Sequence, residues 1–387
     1  MINMKFTSYI ELSESYLRKN IRYLKRRIGK NVKFASVIKG NAYGHGLNKF
    51  VKLAERCGVD FFAVSDAFEA VEANEVKKDS SHIMIMSYLD NEDVLWAVEN
   101  DISFYVFEFG RLEAAIKAAQ KAEKKAKIHI ELETGFYRTG FEESDFKKVV
   151  NLINKNRDHL SIMGICTHYA GAESISNWVR VNEQREKFMK YSEFLRLNGI
   201  VPEYYHTASS AATLTYPDTI MDLVRVGIAQ YGFWPSKETR MYNLLSDDNR
   251  FTRDPLHRIL SWKSKIMNIK TVPPGKFAGY GNAYMASRNE RIAIIPVGYS
   301  HGFSRSLSNI GHVLIRNKKA NVAGMVNMNM MLADVTDING ADIGDEVVLI
   351  GKQGKNNISV ASFSDLSKAI NYETLTRLPK IIPRHIV

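Results

Sequence analysis

A lysine closes the apolar run Val32–Ile38, and the chain leaves it through Gly40-Asn41-Ala42, then Tyr43 and Gly44-His45-Gly46. At the mouth of a buried strand Lys39 would be desolvated, which disfavours the ammonium and frees the amine lone pair to attack a carbonyl. A lone lysine at a strand end more often snorkels to water, so its companions decide the reading. Polar groups recur at the ends of later apolar runs: Arg138, His168, His206 to Ser210, and Arg225. Each alone is an ordinary structural partner, but their occurrence on successive strand ends is hard to assign to packing. Far downstream a phenol, Tyr280, sits between Gly279 and Gly281. Read alone it is a turn aromatic; near neutrality it could carry a proton only beside a perturbing neighbour.

The elements that would position these groups alternate. Strand-like runs fall at 32–38, 60–65, 82–88, 102–107, 127–133, 160–169, 202–208 and 223–231. Helical patterns lie between them at 47–57, 67–78, 91–100, 110–126, 143–155, 177–198 and near 210–222, preceded by a helix over Leu12–Ile28. Eight strands alternating with helices predict a parallel sheet closed into a (β/α)8 barrel, whose functional groups sit at the C-terminal strand ends. An open doubly wound sheet would want a Gly-rich dinucleotide loop after its first strand, and there is none. After about residue 245 short runs rich in Val, Ile and Tyr take over, among them Ile259–Val272, Arg291–Val297 and Glu346–Ile350. These predict a mainly-β domain. The barrel is expected over 12–245 and the β-domain over 246–387, joined by residues 1–11, of which 4–11 read as an added strand, with the boundary in the polar stretch Ser246 to Asp254.

Length and composition suit a two-domain globular protein: 387 residues, 45% hydrophobic and 25% charged. The net charge of +11 and a pI near 9.3 could suggest nucleic acid. The basic residues instead fall on helical surfaces such as Lys25-Arg26-Arg27 and Lys121 to Lys127, without a nucleic-acid-binding motif. Two cysteines, Cys57 and Cys166, give neither a disulfide framework nor zinc spacing. No secretory pattern opens the chain and no apolar run is long enough for a membrane span. A cytoplasmic protein without nucleic-acid or membrane partners is expected.

The segment Val37-Ile38-Lys39-Gly40-Asn41-Ala42-Tyr43-Gly44-His45-Gly46 resembles the pyridoxal-phosphate motif of the alanine racemase family, and the likeness extends over essentially the whole chain. It implies a barrel followed by a β-domain, a homodimer with shared sites, and interconversion of L- and D-alanine. Lys39 would carry the cofactor, with Tyr43 nearby. Arg225, in Leu223-Val224-Arg225-Val226-Gly227, is similar to the family arginine facing the pyridine nitrogen. A guanidinium stays protonated and does not readily give that nitrogen a proton, so reprotonation of Cα is favoured over transamination. Gly227, Ile228, Ser210 and Tyr372 resemble the phosphate site, and His206 belongs to the same cofactor set. Arg138, in Gly135-Phe136-Tyr137-Arg138, matches the arginine near the phenolic oxygen and the substrate carboxylate. The motif Gly279-Tyr280-Gly281 resembles the second catalytic base, reaching the partner subunit's cofactor, and His168 resembles the histidine that contacts it. Tyr280 and Met328 would touch substrate; Glu173, Tyr299, Arg305, Met325 and Tyr372 would line the access channel. No metal is implied.

Departures cluster where substrate would enter. Glu131 stands where many relatives have a lysine that becomes carbamylated and holds the arginine, and Ser209 replaces an asparagine. His301 and Asn329 replace aspartates, and Met325 replaces an arginine. They leave Lys39, Tyr280, His168 and Arg225 untouched, so they bear on substrate identity rather than reaction type. Alternatives to alanine are a racemase of broader or different specificity, for serine, lysine or ornithine, and, more remotely, a cofactor-binding protein without turnover. A decarboxylase on the same barrel would want a glutamate at the position of Arg225.

Overall fold

In the computed structural model, which describes residues 6–246, 254–367 and 370–387, the alternating region forms one eight-stranded sheet. After β1 (Ser8–Leu12) come β2 (Lys33–Val37), β3 (Phe61–Val64), β4 (His82–Ile85), β5 (Ser103–Val106), β6 (Ala126–Glu131), β7 (Leu160–Cys166), β8 (Tyr204–His206) and β9 (Leu223–Val226). The sheet order is β8-β7-β6-β5-β4-β3-β2-β9, with neighbouring strands paired parallel. A parallel bridge between Ser209 and Arg225 joins the two ends. That is a nearly closed (β/α)8 barrel, as the alternation predicts. The strands read as unbroken buried runs, with every residue of β3, β5 and β9 buried, as expected where helices cover a parallel sheet.

Two of the barrel helices begin where a side chain supplies an acceptor for the orphan N–H groups of the first turn. Asp66 caps Ala67–Asn74 by accepting from the Glu69 amide. Glu108 caps Phe109–Ala122 by accepting from the amides of Gly110 and Arg111. Two expected elements end early for visible reasons. The helix after β8 stops at Thr215, ahead of Pro217, and the run 223–231 leaves the sheet at Val226 to make a 3-10 turn over Ile228–Tyr231.

The chain divides into two compact units. One comprises Ser15–Lys39 and Phe50–His257; the other takes the N-terminal residues through Glu14, Gly40–Lys49 and Arg258–Val387. The second unit is mainly β: β10 (Leu260–Lys265), β11 (Asn268–Val272), β12 (Glu290–Ile295), β13 (His312–Ile315), β14 (Lys318–Asn321), β15 (Met331–Asp334), β16 (Glu346–Gln353), β17 (Asn356–Ile358) and β18 (Arg384–Ile386). Its larger sheet runs β14-β13-β16-β10-β1-β18, with β17 on β16, and its smaller one runs β11-β12-β15. β1 pairs antiparallel with β10 and parallel with β18, so the first and last strands lie side by side. The single run expected over Ile259–Val272 is two strands in two different sheets. Most of the expected boundary at Ser246 to Asp254, and the start of the strand expected over 4–11, lie outside the described residues.

Gly44 shows how tightly this unit is built. Its φ is +77°, and an added Cβ would lie 1.9 Å from the Leu375 carbonyl oxygen. Gly44→Ala is therefore expected to destabilise the protein by about 1–3 kcal/mol through overpacking and left-handed strain, seen as a lower urea midpoint. An unchanged midpoint would mean that Leu375 yields freely.

Candidate functional site

Lys39 stands just past β2, and the five residues after it, Gly40 to Gly44, all have φ between +51° and +77°. Gly40, Asn41 and Ala42 have both dihedrals near +50° to +60°, so the chain makes a turn of left-handed helix. Each non-glycine residue there costs roughly 1–2 kcal/mol. Local bonds offset that cost. Gly44 N–H donates to Gly40 O at 2.9 Å, Gly46 N–H to Asn41 O at 3.0 Å, and Leu47 N–H to the Asn41 side chain at 2.9 Å. The buried His45 ring places Nδ1 at 3.0 Å from Ala42 O and 2.9 Å from Tyr43 O, so Nδ1 carries the proton and donates to both. Arg384 donates to Gly44 O at 2.8 Å. The Tyr43 ring lies 5.9 Å from that of Tyr372.

At the C-terminal strand ends of the barrel a cavity of about 270 Å³ is lined by Lys39, Tyr105, Glu131, Arg138, His168 and Arg225, among others. Burial lowers the pKa of the Lys39 amine, helped by the charge of Arg138 and opposed by Glu69. Arg225 is buried in β9. It donates to the carbonyls of His206 (2.8 Å), Thr167 (2.8 Å) and Thr207 (3.0 Å) and to His206 Nδ1 (2.7 Å), and lies 3.4 Å from His168 Nδ1. Burial, then the charges of Arg225, Arg138 and Lys39, push His168 down to about 3. Ser210 accepts from Gly227 N–H at 2.9 Å, so those two residues meet at the end of β9, with Ile228 next in the chain. A larger depression of about 460 Å³ borders Tyr137, Arg180 and Lys187. It holds neither Lys39 nor a buried arginine.

Arg138 itself is exposed and its guanidinium stacks on Phe136 at 4.3 Å. Its loop is built by a residue that the sequence reading missed. The Glu133 carboxylate accepts from the backbone amides of Gly135, Phe136 (2.7 Å), Tyr137 (2.8 Å) and Arg138 (3.3 Å). The signal was available: Lys127, His129, Glu131 and Glu133 alternate with Ile128, Ile130 and Leu132, putting polar groups on one face of a barrel strand. Glu131 is buried and bonded to Thr139, with its pKa raised by burial. Among the described residues no ion pair within 4 Å joins it to Arg138.

The remaining residues lie in the β unit, apart from Glu173, whose carbonyl accepts from Ser236 Oγ at 2.5 Å. Tyr280 is 73% exposed on a turn whose flanking glycines have φ of +80° and +73°. The segments 298–301 and 327–330 are zipped together. Tyr299 N–H donates to Asn327 O at 3.0 Å, Ser300 N–H to Met328 O at 3.0 Å, and Ser300 Oγ to Asn329 Oδ1 at 2.8 Å. His301 Nδ1 accepts from Gly298 N–H at 3.2 Å. Met325 is half-buried, while Met328 and Arg305 are exposed.

A desolvated amine at a barrel mouth, between two guanidinium groups and a neutral imidazole, defines a class: a barrel enzyme whose lysine holds a carbonyl cofactor. Residues 12–235 match the family described as "Alanine racemase, N-terminal domain" and residues 259–386 the "Alanine racemase, C-terminal domain". The chain is 33% identical to an alanine racemase of Leptospira interrogans, covering 99% of this chain and 96% of that one. It is 35% identical to alanine racemase 1 of Caldanaerobacter subterraneus, covering 97% and 93%. Among solved structures, alanine racemase from Streptomyces lavendulae superposes with a TM-score of 0.89 at 27% identity over 100% of this chain and 98% of that one. The Bacillus anthracis enzyme with bound L-Ala-P superposes with the same TM-score at 28% identity over 99% and 96%. The chain belongs to the alanine racemase family.

That family uses pyridoxal phosphate, and the residues present fit it. The cofactor's aldehyde needs an uncharged amine, which burial favours at Lys39, and an anionic, acceptor-rich cofactor suits a cavity bordered by the guanidinium groups of Arg138 and Arg225. Among the described residues no cluster of His, Cys, Asp or Glu could hold a metal ion, and no helix is long and apolar enough to cross a membrane.

Two outcomes follow from these contacts. Glu133→Ala is expected to raise amide hydrogen exchange over 135–138 by about tenfold or more, the loss of bonds to a charged acceptor; unchanged exchange would assign the loop to other contacts. The second concerns acid. Burial depresses the pKa of His45 and His168 to about 3, of His82 to about 4, and of His129 and His206 well below the ordinary value. Folded, these rings stay neutral; unfolded, each takes up a proton below about pH 6.5. Stability is therefore lost as pH falls from 6.5, by up to about 1.4 kcal/mol per pH unit for each ring, until His82 begins to protonate in the folded state near pH 4. Urea unfolding between pH 7.5 and 4.5 measures the slope, and a flat profile would contradict the neutral assignment.

Proposed function

We propose that this enzyme interconverts L-alanine and D-alanine by a two-base mechanism, supplying D-alanine for peptidoglycan in the cytoplasm. The observation that carries the reading is the single cavity in which Lys39, Arg138, His168 and Arg225 meet. When bound, pyridoxal phosphate supplies the electron sink that makes the Cα–H of an amino acid acidic. Lys39 would hold the cofactor, and its amine would move the proton on one face of Cα, taking it from D-alanine. Tyr280 of the partner subunit serves the other face and acts on L-alanine, with His168 beside it as acceptor. The exposure of Tyr280 on its turn supports delivery to a second copy, hence a homodimer with shared sites.

Arg225 keeps its protons and would stand at the ring nitrogen, where it would limit the electron sink and favour return of the proton to Cα. Ser210, with the amides of Gly227 and Ile228, and Tyr372 take the phosphate, with Tyr43 and His206 completing the cofactor set. Arg138 binds the substrate carboxylate through its planar fork. Glu173, Tyr299, Arg305, Met325 and Tyr372 line the access channel and Met328 borders the substrate. The domain division that suits this work is a barrel over 12–245 holding the cofactor and a β-domain, 1–11 with 246–387, bringing the second base.

Single L- and D-amino acids incubated with the cofactor-loaded enzyme in deuterated water, then separated chirally, test the assignment. Alanine is expected to racemise fastest with deuterium at Cα. Faster turnover of serine, lysine or ornithine would give the methionine-lined channel the specificity role instead, and no exchange on any amino acid would leave a cofactor-binding protein without turnover. Lys39→Ala is expected to abolish covalent cofactor attachment. Tyr280→Phe is expected to keep the cofactor while losing on the order of 10²–10⁴ in racemisation rate; full activity in that variant would sink the two-base assignment.

A further inference from the structure

Behind Arg225 a chain of side chains runs through the barrel interior, and its first step joins two strands, β8 and β6, that are not neighbours. His206 Nε2 on β8 lies 2.9 Å from His129 Nδ1 on β6, and His129 Nε2 lies 3.1 Å from Ser103 Oγ on β5. Ser103 Oγ in turn lies 2.8 Å from His82 Nε2 on β4. His129, His206 and Ser103 are fully buried. The two rings meet over β7, the strand between theirs, because β7 has Gly164 at that point. A Cβ there would lie 2.2 Å from His129 Nδ1 and 2.6 Å from His206 Nε2. Glycine weakens a strand interior, and its presence marks a close approach that the strand must accommodate.

The chemistry gives this chain a single polarity. A guanidinium can only donate, so His206 Nδ1 accepts from Arg225 at 2.7 Å and its proton sits on Nε2. That proton is donated to His129 Nδ1, which puts the His129 proton on Nε2, facing Ser103. The Ser103 hydroxyl, having accepted, donates to His82 Nε2, which is nearer than its other acceptor, Ile83 O at 3.3 Å. His82 then carries its proton on Nδ1. Were His129 apolar, nothing at that point would hold the His206 proton on Nε2. His206 could then present N–H to Arg225, donor against donor.

We propose that His129, seated over Gly164, is a positioning residue for Arg225: it fixes the tautomer of His206 and so holds the guanidinium in the orientation that faces the cofactor ring nitrogen. The last clause rests on the function proposed above; the tautomer chain does not.

Holoenzyme carrying ¹⁵N-labelled histidine tests it by nitrogen NMR. The expected pattern is neutral His206 and His129 protonated at Nε2 and neutral His82 protonated at Nδ1; a His206 proton on Nδ1 would overturn the proposal. His129→Leu is expected to scramble the His206 tautomer, shift the visible absorption of the bound cofactor and lower kcat on the order of tenfold, with KM for alanine little changed. His129→Gln, whose amide oxygen can accept the same N–H, is expected to restore most of both. Ser103→Ala leaves both rings packed and is expected to disturb His129 with a smaller loss of kcat. Wild-type spectrum and kcat in His129→Leu, or equal losses in the Leu and Gln variants, would refute the positioning role. Arg225→Lys separates the two layers: an unchanged cofactor spectrum in that variant would sink the placement of Arg225 at the ring nitrogen while leaving the wild-type tautomer pattern standing.

Discussion

The organising constraint of this protein is the burial of one guanidinium. Taking a full charge out of water costs several kcal/mol even after relaxation, unless its donors are satisfied. The barrel satisfies Arg225 with three carbonyl oxygens and imidazole nitrogens, not with a carboxylate. The choice matters because a carboxylate would neutralise the field at the cavity, whereas carbonyl dipoles stabilise the cation and leave its charge effective. Its consequences spread outward. His168 and His206 must remain neutral beside it, burial and the nearby charge acting in the same direction. The strand between β6 and β8 must be glycine where two rings cross it.

A second constraint is mechanical. Lys39 leaves a rigid strand and enters a left-handed turn that an L-chain adopts only when over-determined. The motif that follows the lysine is legible as the means of that over-determination. Asn41 turns its side chain back to Leu47 N–H, His45 ties the carbonyls of Ala42 and Tyr43, and Gly44 tolerates the Leu375 carbonyl against its missing Cβ. The small residues after Lys39 are thus the price of aiming one amine, and they have no need to touch a ligand to be required.

Much of the fold is legible because the parallel barrel writes its period plainly. Apolar runs at regular spacing predict β2 to β9 and the helices between them, with errors at the ends: the run 160–169 is strand only to Cys166, the pattern 67–78 is helix only to Asn74, and Pro217 and the turn at Gly227 cut two more elements short. The β unit is less legible. The run Ile259–Val272 is continuous in composition, yet it is cut into β10 and β11 in separate sheets, a decision made by pairing partners distant in sequence. At the site, strand-end polar residues stand out, and Lys39, Arg138, His168 and Arg225 do line one cavity. Glu133 and His129 show only as polar members of an alternating run, which does not say what they touch. Their contacts, to a loop's amides and to a ring two strands away, depend on backbone geometry that residue type alone does not carry.

The departures from the family pattern look different once their bonds are counted. His301 accepts a backbone N–H through Nδ1 and Asn329 accepts a hydroxyl through Oδ1. An aspartate oxygen could do either job, so what changes is the charge and not the local fold. Two anions are absent from the β unit, and Met325 removes a cation from the same region. The net electrostatic change is therefore smaller than the list of substitutions suggests, while the apolar character rises at Met325. Flexible thioethers accommodate shape without demanding a charge partner. The hydrogen bonds of the zipped segments thus survive a change of residue that alters their charge.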